Sequence, residues 1–142
     1  MATWAPTLAE VGGCVPTRTA NVSLPGEDEY LNTFTADTRP TAAQAQAIID
    51  HAVADVEAVT TIGAPLEAVA KNAAMWRAAA DIELAYPDRN ADANYYAQLD
   101  ARARYEWDRF KAATEDPDTG SGTGMPTWTM PEPVWWGDRN DI

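Results

Sequence analysis

Few residues in this 142-residue chain have types and spacings suited to chemistry. The one histidine, His51, stands four residues before Asp55, one turn away on a helix. A His–Asp dyad is half of a nucleophile-activating triad, because the carboxylate orients the imidazole that takes the nucleophile's proton. No Ser or Cys motif supplies the nucleophile, and no second His exists to share a metal, so the two read as a solvated surface pair. Cys14 is the single cysteine, which leaves no disulfide framework and no Cys-based metal site. The carboxylates show neither D-x-D nor E-x-x-H spacing, so paired acid–base chemistry is unsupported. Gly120-Ser121-Gly122-Thr123-Gly124 has the glycines of a phosphate loop without its strand, helix or lysine, and reads as a linker. The expectation is a protein without enzymatic activity, cofactor or metal.

The element that must position the rest is Pro65–Tyr86. Gly63 and Pro65 open it and Pro87 closes it, since proline suits a first helical turn and cannot continue a last one. The span holds about six turns. Leu66, Val69, Ala70, Ala73, Trp76, Ala80 and Leu84 form its main apolar stripe. Met75, Ala78, Ala79, Ile82 and Tyr86 form a second. A helix apolar on two faces must be covered twice. The second cover is either the N-terminal segment or a neighbouring copy, which makes Met75, Ile82 and Tyr86 the candidate inter-subunit contacts.

Arg77 lies within the main stripe, and Glu106 lies within the stripe of the last helix. A structural Arg77–Glu106 pair would fix the register of the two helices. Asp81, one turn from Arg77, is the competing partner, and two side chains snorkelling at the stripe edges are the plainer alternative.

Thr41-Ala42-Ala43-Gln44 is a capping box that starts a helix running to about Thr61. Its stripe is Ile48, Ile49, Ala52, Val53, Val56 and Val59. The last helix, capped by Asn90 or Asp92, runs to about Glu115 on a stripe of Tyr96, Leu99, Ala103, Trp107, Phe110 and Ala113. Asp100–Arg104 and Asp108–Lys111 give it acid-to-base support. A short N-terminal helix or turn, Thr7–Val11, is expected to stop at Gly12-Gly13 and to bury Trp4, Leu8 and Val11. Residues 21–40 are irregular, with a turn at Pro25-Gly26 and at most a short strand over Tyr30–Thr35.

The fold class expected is therefore all-α. It is a small antiparallel bundle of three main helices plus a short N-terminal helix, with an irregular or short β loop at 21–40 and an extended C-terminal tail. Residues 1–115 form the helical domain, and residues 116–142 form a flexible linker and an arm. The arm is rich in Pro and Trp: half of the six tryptophans lie in the last fifteen residues. A Pro-rich segment loses little entropy on ordering, and Trp is enriched at binding hot spots. Met125, Trp128, Met130, Pro131, Val134, Trp135 and Trp136 are accordingly the candidate partner-binding residues. The alternative is that the arm folds back onto its own domain.

The net charge is −12, and Lys71 and Lys111 are the only lysines. That argues against binding nucleic acid through a basic patch. With no secretory h-region and no apolar run of membrane-span length, the expected compartment is a cytoplasm, or a particle assembled there. The Asn21-Val22-Ser23 sequon then has no secretory context.

Two segments carry a resemblance. Phe34–Pro65 contains an F-T-x-x-T-R-P-T entry to a helix, and Ala73–Asp88 is an Ala-rich helix ending in Tyr86-Pro87. Together with the amphipathic helix that follows, they resemble the head-to-tail connector (adaptor) proteins of long-tailed bacteriophages over roughly residues 5–115. The resemblance implies a virion neck protein, made in the host cytoplasm and forming a ring, typically of twelve copies, below the portal. Its implied partners are the portal protein, neighbouring copies of itself and the next neck or tail-completion protein. DNA passes through the channel without specific binding, and no membrane is involved. A small DNA-packaging-associated phage protein and a host-directed protein-binding adaptor are the alternatives.

Overall fold

The computed structural model describes residues 2–23, 29–87 and 93–115. Within them lie four α-helices and no strand: α1 (Leu8–Cys14), α2 (Ala42–Glu57), α3 (Glu67–Ala85) and α4 (Ala93–Glu115). Single 3-10 turns at Pro16–Thr19 and Ala64–Leu66 follow α1 and precede α3. The chain is all-α, an antiparallel bundle with a short N-terminal helix.

The helix starts follow from local chemistry. Thr41 accepts from the Gln44 N–H, and the Gln44 side chain accepts from the Thr41 N–H. Thr7 and Glu10 make the same reciprocal box at the start of α1. Each box satisfies two backbone donors that a helix N-terminus leaves open. α2 stops at Glu57 rather than near Thr61, and Val59 is exposed beyond its end.

α1 runs through Gly12-Gly13 instead of stopping there. The reason is packing. A Cβ on Gly12 would lie 3.1 Å from the Asn32 carbonyl oxygen and 3.3 Å from Thr33 Cα. The missing side chain is what lets the 32–33 backbone lie against the helix.

α3 is the central helix. Ala70, Ala73, Ala74, Ala78, Ala79 and Ala80 are all buried. Small side chains on adjoining faces let helices approach closely on more than one side. α4 packs on one side, and α2 with α1 on the others. Both apolar faces are thus covered within the chain. Ile82 is fully buried, which removes it as an inter-subunit contact. Met75 packs partly buried against the same core, and Tyr86 is half-buried at the helix end. Leu84, placed on the main stripe by period, is 61% exposed. Glu83 takes the inward position in that turn.

The segment before α2 is a built turn rather than a strand. Among the described residues its one bridge joins Ala20 to Tyr30, and Asn32 has a φ of 59° that breaks any extended run. Phe34, Thr38 and Pro40 are buried. Thr38 Oγ1 accepts from the Thr35 N–H at 2.9 Å and lies 2.7 Å from the Pro40 carbonyl oxygen. The Arg39–Pro40 peptide bond is cis. The Pro25-Gly26 turn, the Asn90 and Asp92 caps, the 116–124 linker and the whole arm, Met125 to Trp136 included, lie outside the described residues.

Candidate functional site

Among the described residues, the one ion pair with both side chains largely buried was not anticipated. Arg18, in the 3-10 turn after α1, forms a bidentate contact with Glu83 of α3. Its Nε lies 2.7 Å from Oε2 and its guanidinium NH2 lies 2.8 Å from Oε1. The side chains are 11% and 4% exposed. Two parallel charge-assisted bonds satisfy a carboxylate that would otherwise be buried and unpaired. Tyr95 of α4 donates to the Cys14 carbonyl at 3.2 Å, tying the same end of the N-terminal segment to the last helix. Burial pushes the Tyr95 hydroxyl above the usual phenol range, with Glu83 and Cys14 adding to the rise. Burial likewise pushes the Cys14 thiol up to about 11. A thiol so raised is a poor nucleophile at neutral pH. The sequence held one signal for this pair: Glu83 falls three and four residues after Ala80 and Ala79, on a buried alanine face.

The Arg77–Glu106 pairing does not occur. Helices α3 and α4 meet with Trp107, not Glu106, beside Arg77. The Arg77 guanidinium stacks 5.2 Å from the Trp107 ring centre, and its Nε lies 3.1 Å from Asp55 Oδ2 on α2. Glu106 is buried one helical step away, between Arg102 at 2.8 Å and Arg109 at 3.6 Å on its own helix. Neither Arg77 Nε nor either Glu106 oxygen has an aligned hydrogen bond, so these are charge contacts rather than directed bonds. A half-exposed pair such as Arg77–Asp55 contributes at most about 1 kcal/mol. Asp55 thus faces Arg77, and His51 is exposed on α2.

Arg77, Ala80, Asp81, Asp100, Trp107 and Asp108 are among the residues lining a cleft of about 510 Å³ between α3 and α4. Arg104, also on its wall, pairs with Asp100 at 3.0 Å as its spacing predicts. Much of Asp81 is open to solvent, yet desolvation by the cleft wall raises its carboxyl above the ordinary range. Arg77 and His51 oppose the rise, and Asp55 and Asp100 add to it. The cleft presents charged side chains and one aromatic wall, Trp107. Among the described residues no cluster of His, Cys, Asp and Glu is arranged to hold a metal, and no helix is long and apolar enough to cross a membrane.

Comparison with family models, curated proteins and solved structures finds no match to this chain.

Proposed function

We propose that this chain is a structural head-to-tail connector of a tailed phage virion. In this reading it forms a ring below the portal, extends the DNA channel and joins the capsid to the next neck or tail protein. The observation that carries the reading is the F-T-x-x-T-R-P-T entry at Phe34–Thr41, followed by the Ala-rich helix that ends in Tyr86-Pro87. Within that entry Thr38 and Pro40 are buried and Thr41 caps α2. The charge of −12 is in keeping with a conduit to which DNA must not adhere. A Trp- and Pro-rich arm is in keeping with docking onto the portal.

The test is imaging of purified particles, with the expected result a ring of this chain directly beneath the portal. Deleting Gly124–Ile142 should weaken portal attachment while leaving the helical far-UV spectrum intact. Absence of the chain from particles, or portal binding unchanged by the deletion, overturns the ring and the docking arm respectively.

A further inference from the structure

The two flanks of the α3–α4 pair differ in charge. Successive residues of α4 advance by about 100°. Seen from the core-facing Leu99, Ala103, Glu106 and Phe110, the cleft residues Asp100, Arg104 and Asp108 project to one side, with Lys111 on the same face. Arg102, Tyr105 and Arg109 project to the other, roughly 130° away.

On the cleft flank, Asp55 pairs with Arg77 and Asp100 with Arg104. Asp81 and Asp108 make no ion pair among the described residues, so the expected Asp108–Lys111 pair does not form; with Arg77, Arg104 and Lys111 counted against Asp55, Asp81, Asp100 and Asp108, the flank keeps an excess of one carboxylate beside Trp107. On the opposite flank, Arg102 is 50% exposed and lies 5.3 Å from the Trp76 ring centre and 5.5 Å from that of Tyr105. Arg109 is 47% exposed and Tyr105 is 55% exposed. The buried Glu106 carboxylate draws both guanidiniums from beneath and leaves their outer faces open. Arg, Trp and Tyr are the residue types that dominate binding hot spots, and stacking fixes the Arg102 side chain in advance. In a chain of charge −12, an exposed cationic–aromatic flank is out of keeping with a surface built only for solubility.

We propose that the occupant of each flank is a second copy of this chain, with the Trp76–Arg102–Tyr105–Arg109 flank of one copy docking on the Asp81–Asp108 cleft of the next. The charge complementarity lies within one molecule, on opposite sides of the same helix pair and over the same turns. Such a contact is heterologous, and heterologous contacts propagate head to tail and close into rings when the rotation permits. It replaces the Met75–Ile82–Tyr86 face, whose Ile82 is occupied by the chain's own core. The contact stands on the two flanks. It rests on the connector reading only for closure into a ring.

The experiment uses the full chain in two double variants. One, Asp81→Arg with Asp108→Arg, reverses the unpaired charges of the cleft. The other, Tyr105→Ala with Arg109→Glu, disables the cationic flank but keeps Arg102 over Glu106. Far-UV circular dichroism establishes that both fold. Sedimentation equilibrium at low salt should show self-association of the wild type, weakened by added salt and at least ~10-fold by either variant. Mixed, the two variants should associate more strongly than either alone, because each supplies the working flank that the other lacks. A wild type monomeric throughout a concentration series overturns the proposal, as does association that both variants leave unchanged. Rings on particles that survive both variants refute this interface and spare the connector reading. Self-association governed by the variants in a chain absent from particles does the reverse.

Discussion

Removing the Arg18 side chain isolates the strongest single interaction between the N-terminal segment and the bundle. Arg18→Ala leaves the Glu83 carboxylate, 4% exposed, without its two donors. Breaking a buried pair from one side costs about 3–5 kcal/mol. A loss of about 3 kcal/mol is expected, and in a domain of this size it lowers Tm by about 10–15 °C. The assay is urea unfolding of wild type and variant at pH 7, with hydrogen exchange across residues 7–20 to locate the loosened segment. The paired substitution Arg18→Met with Glu83→Leu should recover most of the loss, since a well-packed apolar pair often matches a buried ion pair. A loss below about 1 kcal/mol, or a paired variant as unstable as Arg18→Ala, would refute the reasoning.

The two glycines of α1 should respond oppositely to alanine. Gly13 has open space around a new Cβ, so Gly13→Ala should stabilise by about 0.5–1 kcal/mol through helix propensity. Gly12→Ala meets the Asn32 and Thr33 backbone at 3.1 and 3.3 Å and should lose that gain, as read by thermal melts of both. Cys14, raised from 9.0 to about 11, should react with an alkylating agent at pH 8 about 100-fold more slowly than the same thiol in denaturant. Its stability contribution is complete below pH 9 and is lost as pH rises towards 11. Thr38→Val keeps the shape of the turn before α2 but strands the Thr35 N–H, and should cost about 2 kcal/mol in urea unfolding.

The sequence by itself determined the helices and the class. Capping boxes and period are local: Thr41 and Gln44 are three residues apart, and the α2 stripe from Ile49 to Val56 needs only a period of about 3.6 residues to be seen. The alanines of Pro65–Tyr86 likewise announced a helix covered on two sides. What tertiary structure decided was who covers it and which charge meets which. Arg18 and Glu83 are 65 positions apart, and no spacing rule links them. Arg77 faces Trp107 rather than Glu106 because neighbouring residues on α4 differ by about 100°, and only the packed rotation of the helix selects between them. The same rotation buries Ile82 and exposes Leu84, although both are apolar and two residues apart. It also gathers Asp55, Asp81, Asp100 and Asp108 on one flank of the α3–α4 pair and leaves Arg102 and Arg109 around the buried Glu106 on the other. A linear pattern records that a face exists, and the packing of one helix on another fixes the direction in which it points.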